Sequence, residues 1–344
     1  MEEVILKPGV SVVVCCYNSA EVIAPTIKAL ARQEVPPGIG CEVILVDNNC
    51  TDNTVGVAED TWKKENSPYP LRVVKETEPG LIYARKIGAF CASYEILLFV
   101  DDDNILEPDW VEQLVDMYSR WPEVGAIGGY NEPLCQGEKP AWFDELSSMY
   151  ACTPKRENPS ESGVKRTLFG AGLSMRTVVL RSIFASSLPL YLVGMKKDIA
   201  SRGEDSEICL RAGLMGWVLR YETSLKLKHY ILKRRLNWDY VLQCRRGGGN
   251  ADIILFIYQD LLDKKVPRDY CQLSIYISSL WDEFWQNRVK CKDLEKLKKE
   301  GDYVALRHHY LQGLTEGFLK LNEQEYNTIR GKISDFFAPK GKKF

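Results

Sequence analysis

Phe99-Val100-Asp101-Asp102-Asp103-Asn104 is the stretch on which the reading of this chain turns. It closes an apolar run, Ile96-Leu97-Leu98-Phe99-Val100, that is short, branched and aromatic, with polar residues on both sides. Such a run reads as a buried strand. Three carboxylates arrive at its C-terminal end. Side chains at i and i+2 of extended backbone share a side, so Asp101 and Asp103 are expected to converge while Asp102 faces elsewhere. Converging carboxylates repel each other, and a hard cation seated between them and a polyphosphate relieves the repulsion. Taken alone, the triplet equally suits a solvated acidic turn that ends a strand and caps a helix.

Working outward, the same strand-then-polar-turn pattern recurs. Val10 to Cys16 is an unbroken β-prone run, as expected of a central parallel strand, and Tyr17-Asn18 follow it. Asn18 with Glu21 has the spacing of a capping box and predicts a helix over 19–33. Cys41 to Val46 is the next strand, ending in Asp47-Asn48-Asn49. A helix from about Asp52 to Lys64, a strand over Leu71 to Lys75 and a helix opened by Pro79-Gly80 and carrying Arg85 lead into the aspartate stretch. Beyond it, Pro108 is placed to open a helix to about Arg120, and Val124 to Gly129 is another strand. Tyr130 to Gly163 reads as irregular. Gly170 and Gly172, in a β-prone run, are expected to let backbone approach a ligand. Arg202-Gly203-Glu204-Asp205-Ser206-Glu207 then opens a helix, whose dipole alone would favour acids there. Trp217 to Tyr221 is expected to be the last strand, Lys226 to Leu236 is basic and amphipathic, and the remainder reads as mostly helical.

Strands alternating with helices through tight turns predict an α/β fold: a Rossmann-like, mostly parallel sheet with helices on both faces. Ligands of such sheets sit beyond the C-terminal strand ends, and three polar clusters fall there. Neither a G-x-G-x-x-G after the first strand nor a phosphate-binding G-x-x-x-x-G-K-[ST] is present, which weighs against a dinucleotide-dependent dehydrogenase and a P-loop hydrolase. A net charge of −2 offers no global basic field, so no nucleic-acid partner is expected. The 11 cysteines are scattered and form no C-x-x-C, so reduced thiols are expected rather than a disulfide or zinc framework. No bilayer-length apolar run and no secretory pattern at the N-terminus are read, giving the expectation of a cytoplasmic protein, peripheral at most at the inner face of the cell membrane.

With these clusters in place, the sequence resembles the family 2 glycosyltransferases, inverting enzymes of the GT-A fold, and in particular their soluble bacterial-type members. Ser11-Val12-Val13-Val14-Cys15-Cys16-Tyr17-Asn18, the strand ending in Asp47, Asp101-Asp102-Asp103 as a D-x-D motif, and Glu204-Asp205 with the helix after it match that family's motifs in order. The resemblance covers about Val10 to Tyr240. It implies a catalytic domain over 1–225 that binds a nucleotide sugar, and a helical region over 226–344 serving acceptor binding, oligomerisation (a homodimer) or membrane-surface contact. It implies Asp47 on the nucleobase, with Tyr17 and Asn18 lining the same pocket. Arg85, Asp101 and Asp102 would be further donor contacts. Asp103 and His229 would hold Mn²⁺ or Mg²⁺, and Asp205 would be the general base. The partners it implies are a nucleoside-diphosphate sugar, UDP favoured, and a saccharide or lipid-linked saccharide acceptor in polysaccharide or glycoconjugate synthesis. Two alternatives stay open: a catalytically silent, nucleotide-sugar-binding relative acting as an assembly partner, and a sugar-phosphate nucleotidylyltransferase.

Overall fold

A computed structural model describes residues 5–154, 162–193, 202–288 and 299–338. These form two compact units, Met1–Ala185 with Trp217–Arg235, and Ser186–Gly216 with Leu236–Phe344.

The first unit is built on one sheet. Its elements are β1 (Lys7–Cys16), α1 (Ile23–Ala31), β2 (Gly40–Asp47), α2 (Thr54–Glu65), β3 (Leu71–Lys75), α3 (Leu81–Cys91), β4 (Tyr94–Asp101) and β5 (Asn104–Leu106). They continue with α4 (Trp110–Arg120), β6 (Val124–Cys135), α5 (Phe143–Leu146), β7 (Gly163–Val164), β8 (Ser174–Arg176) and α6 (Thr177–Ala185). After α7 (Glu204–Leu214), which belongs to the second unit, comes β9 (Val218–Ile231). The strand order is β3-β2-β1-β4-β8-β6-β9-β5, with β7 on β9. The long ladders β1–β2, β2–β3, β1–β4 and β6–β9 are parallel and the short ones antiparallel. The sheet is the mixed, mostly parallel one that the β-α alternation predicts.

Pleating sends alternate residues to opposite faces. Val10, Val12 and Val14 of β1, Val43 and Leu45 of β2, and Leu98 and Val100 of β4 share one core with Ile23, Ile27 and Leu30 of α1 and Trp110 and Leu114 of α4. On the opposite face α3 comes so close that a Cβ on Gly88 would lie 2.4 Å from Val13. Helices thus cover both faces, which is why the central strands read as continuous apolar runs.

Several elements differ from the sequence expectation. The first helix starts at Ile23, with no side-chain cap at Val22. Asn18 sits in the left-handed region (φ 52°) and its carboxamide turns to the loop after β2, so no capping box forms. The fourth helix begins at Trp110, two residues beyond Pro108. The stretch expected to be irregular opens as strand, because β6 runs on to Cys135 with a shift in register between Gly129 and Tyr130. Residues 155–161 of that stretch lie outside the described residues. The basic run after Tyr221 continues β9 to Ile231 and then makes a short 3₁₀ turn over Lys233–Arg235.

The second unit is helical, with α7, α8 (Trp238–Leu262), α9 (Tyr270–Arg288), α10 (Tyr303–Leu319) and α11 (Glu323–Phe337). Its core includes Leu210, Ile254, Tyr258, Leu273, Leu311, Leu314 and Tyr326. Asn322 and Glu325 form a capping box at the start of α11. These units divide the chain differently from a single cut at 225. Residues 186–193 and 202–216 join the helices, because Arg211 of α7 reaches the Tyr258 hydroxyl of α8 (3.0 Å) and Glu207 accepts from that hydroxyl (2.8 Å). Residues 226–235 stay with the sheet, because β9 pairs with β6 and β5. Among the described residues no helix is long and apolar enough to cross a membrane.

Candidate active site

Strand register assembles the site. In the parallel ladders Cys16 lies opposite Asp47, and Cys15 opposite Asp101, so β1, β2 and β4 deliver their polar ends to one edge. The Asn48 N–H donates to the Cys16 carbonyl (3.1 Å), locking the two turns together. Asp47 accepts from the Cys50 N–H (2.8 Å), which fixes its carboxylate at the mouth of the turn. Asn18 accepts from the Thr51 N–H (2.7 Å). Tyr17, beside it, is 43% exposed. Asn48 is buried, donating to the Glu78 carbonyl (2.7 Å) and accepting from the Gly80 N–H (2.9 Å), which ties the start of α3 to the same edge.

The three aspartates part company at this edge. Extended backbone ends at Asp101, and residues 102 and 103 form a turn before β5. The i, i+2 alternation therefore does not carry across the triplet, and Asp102 does not face away from its neighbours' charge. Asp101 lies 3.9 Å from the guanidinium of Arg85. That arginine is 2% exposed and stacks over the Phe99 ring at 5.1 Å. Asp102 accepts from the Ser19 hydroxyl, and its carbonyl accepts from Thr26 Oγ1 (3.0 Å). Burial and the Asp103 charge, with a further push from Asp101, raise the Asp102 carboxyl from the ordinary 3.8 to about 7, although Ser19 and Arg235 oppose them.

Asp103 is buried and held from two sides. The pairing of Asn104 with His229 across β5 and β9 sets the imidazole beside it, with Nε2 3.2 Å from Oδ1. Arg235 Nη1 lies 3.2 Å from Oδ2. Burial works against the Asp103 carboxylate, but His229 and Arg235 outweigh it and hold its pKa below the ordinary value. Burial likewise works against a charged His229, yet the Asp103 charge, with help from Cys152, keeps that imidazole protonated well above its usual range.

The structure thus brings Tyr17, Asn18, Asp47, Arg85, Asp101, Asp102, Asp103 and His229 into the sheet unit. Asp205 belongs to the helical unit, where it stands in the first turn of α7, half-buried, its Oδ1 accepting from the Ser206 N–H (2.7 Å). Gly170 and Gly172 do not open toward a ligand. A Cβ on Gly170 would lie 2.4 Å from Arg85 Nη2, and one on Gly172 (φ 74°) would lie 2.7 Å from Leu227 Cδ2. Their bareness makes room for the protein's own side chains. Ser19, Thr26, Asn104 and Arg235 were missed as site residues. Arg235 had a signal, lying in the basic run after His229, but its neighbour Arg234 pairs with Glu21 (2.6 Å) instead. Ser19 and Thr26 carried none beyond following the first strand.

An open α/β sheet whose parallel strands bring polar clusters to one edge belongs to the doubly wound class, whose ligands sit beyond such strand ends. The family described as "Glycosyl transferase family 2" matches residues 11–184, half of the chain, and the chain belongs to that family. Among similar proteins is a glucosyl-dolichyl phosphate glucuronosyltransferase of Haloferax volcanii, 24% identical over 68% of this chain and 72% of its own. Another is a poly-beta-1,6-N-acetyl-D-glucosamine synthase of Staphylococcus epidermidis, 26% identical over 35% of this chain, which spans only 28% of that synthase. Of solved structures, S. aureus TarS 1-349 in complex with UDP aligns with a TM-score of 0.46 at 16% identity, covering 95% of this chain and 92% of that one.

Proposed function

We propose that this protein moves a sugar from a nucleoside-diphosphate sugar, UDP favoured, to an acceptor hydroxyl with inversion at the anomeric carbon. The observation that carries this reading is the register that sets Asp47 and Asp101 on one sheet edge, in a chain of this family. A carboxylate fixed by a backbone N–H, as Asp47 is, is suited to accept the ring N–H of a uracil. Tyr17 and Asn18 flank it. Arg85, buried against Asp101, orients that carboxylate toward the ribose or the diphosphate end.

Asp103 and His229 would hold Mn²⁺ or Mg²⁺ once the cation displaces the proton that the imidazole shares with Asp103, since only a neutral imidazole can ligate a metal. Among the described residues no three acidic, His or Cys side chains stand ready as a metal cage. A cation of this kind commonly needs only one or two carboxylates, its remaining ligands being water and substrate phosphates. When bound, it would supply neutralisation of the charge gathering on the departing nucleoside diphosphate.

Asp205 is the proposed general base. It would take the acceptor proton as the hydroxyl attacks the face opposite the leaving group, a contribution typically worth ~10²–10⁴-fold. The acceptor we propose is a saccharide or lipid-linked saccharide, a reading supported by the Haloferax relative, which is named for glucosyl-dolichyl phosphate. Donor turnover and UDP binding are measured together on Asp205→Asn. Turnover should fall by at least about a hundredfold with UDP binding retained. Unchanged turnover removes Asp205 from the base role. No thermal shift with any nucleoside diphosphate, with or without Mn²⁺, refutes the donor reading.

A further inference from the structure

The turn after β2 carries a second reactive pair. Cys16, the last residue of β1, and Cys50, three residues beyond β2, lie with their sulfurs 3.9 Å apart. The register explains the approach. Cys16 stands opposite Asp47, and the Asp47 carboxylate, accepting from the Cys50 N–H, curls the turn back over the end of β1. The Cys50 thiol also lies 3.5 Å from the Cys16 carbonyl and accepts from the Asn18 N–H at 3.4 Å. Cys15 points to the other face of the sheet, as its place in the strand requires, and burial pushes its thiol up to about 12.

The two sulfurs differ in access. Cys50 is half-buried and Cys16 only 2% exposed, so a reagent from solvent meets Cys50 first. Contact with Cys16, joined by the Asn18 N–H, holds the Cys50 thiol below its ordinary pKa against burial and Asp47. The same contact and burial push the Cys16 thiol far up, so Cys50 is the first nucleophile and Cys16 attacks as its proton leaves. Cys50 sits on a turn and Cys16 in a strand. Bringing 3.9 Å to the about 2.05 Å of a disulfide is a swing of Cys50, not a distortion of the sheet.

We propose that Cys16 and Cys50 form a modification site, a dithiol that closes to a disulfide by exchange with a low-molecular-weight disulfide such as oxidised glutathione, and that closure weakens nucleotide binding. The Cys50 thiolate attacks one sulfur of the reagent, breaking its S–S bond and releasing one glutathione thiolate, which takes up a proton. Cys16 then attacks Cys50 Sγ in the mixed disulfide, displacing the second glutathione, which leaves with the Cys16 proton. Two protein thiols are oxidised and one glutathione disulfide is reduced to two thiols. Closure draws the Cys50 sulfur away from the Asn18 N–H and moves the N–H that aims Asp47. The effect on binding rests on the nucleotide reading of those two residues; the disulfide does not.

The test uses the full chain, treated with oxidised glutathione, alkylated under denaturing conditions and analysed by intact mass and peptide mapping. Two of the 11 cysteines should escape alkylation, in a linked Cys16–Cys50 peptide that dithiothreitol reopens. Cys16→Ser should stop at a glutathione adduct on Cys50, and Cys50→Ser should form neither. UDP affinity in the presence of Mn²⁺ should fall about tenfold on closure, roughly one lost and one misaligned hydrogen bond. It should recover with dithiothreitol and be unmoved by glutathione in Cys50→Ser. Retention of all alkylation sites, a link to another cysteine, or unchanged UDP affinity in the linked protein would overturn the proposal. A reduced protein that binds no nucleotide counts against the nucleotide reading alone, and the mass measurement then decides the disulfide by itself.

Discussion

Replacing Asp102 by Asn should make the protein more stable, and increasingly so as pH rises. The folded state raises this carboxyl from 3.8 to about 7, through burial and its two acidic neighbours. An acid whose folded pKa is raised binds its proton more tightly in the native state. Its contribution is therefore full below the unfolded pKa and is lost as pH climbs from about 4 to about 7. About three pK units at 1.36 kcal/mol each set a ceiling of about 4 kcal/mol lost above pH 7. Asn cannot ionise, so it escapes this loss. Its carboxamide oxygen can still accept from Ser19, whose bond to the carboxylate is already counted in that shift. The net gain is then about 4 kcal/mol at pH 8, about 1.5 kcal/mol at pH 5 and near zero at pH 3.

Urea unfolding of both proteins across that range is the assay, followed by a probe in the sheet unit. Asp103 and His229 titrate in both proteins, and because Asp102 interacts with Asp103 the difference curve reads the coupled pair rather than Asp102 alone. Adding Mn²⁺ should narrow the gap at pH 8, because a cation among the carboxylates favours the ionised Asp102. A difference that does not vary with pH, or an Asn variant less stable at pH 8, would refute the electrostatic picture of this edge.

Other substitutions probe the neighbouring contacts. Arg235→Gln removes a cation from Asp103 Oδ2, so Mn²⁺ binding in the absence of nucleotide should tighten by roughly tenfold, as read by calorimetry. Weaker binding would show that Arg235 does not compete for that oxygen. Gly170→Ala drives a methyl against the buried Arg85 guanidinium and should cost about 1–3 kcal/mol in urea unfolding. In Arg85→Met the same substitution should cost less by more than about 0.5 kcal/mol, and simple additivity would remove the clash as the cause. In the helical unit a Cβ at Gly249 would lie 2.2 Å from the Tyr310 carbonyl, backbone that cannot swing aside. Gly249→Ala should therefore cost about 3 kcal/mol by the same measurement, and a loss under about 0.5 kcal/mol would mean that α8 and α10 can separate freely.

Much of the sheet was legible because its central strands are buried on both faces and so announce themselves as short apolar runs. The site's position was legible for the same reason: chain order fixes which ends of parallel strands share an edge. What failed was whatever depended on a partner far along the chain. Asn18 and Glu21 satisfy the spacing of a capping box, yet Thr51 claims the Asn18 carboxamide from 33 residues away. The helix cannot recover that cap once Asn18 adopts φ 52°. Lys226-Leu227-Lys228-His229-Tyr230-Ile231 alternates exposed lysines with buried Leu227, His229 and Ile231, the period of a strand. Its charge drew the reading toward a surface segment instead.

The aspartate triplet shows where local reasoning stops and what replaces it. Alternation gives each side chain a direction only while the backbone stays extended, and it turns at Asp102. From there the roles are assigned by what arrives from elsewhere. Arg85 on α3 comes to Asp101, Ser19 from the loop after β1 to Asp102, and His229 and Arg235, the latter 132 residues away, to Asp103. Three like residues in a row thereby become three different groups: one beside a buried guanidinium, one raised toward neutrality, and one held ionised between an imidazole and an arginine. That differentiation suits the proposed site, because identical neighbouring carboxylates would share protons and leave no single one with a fixed charge to face a cation. The motif supplies the carboxylates, and the partners make them unequal.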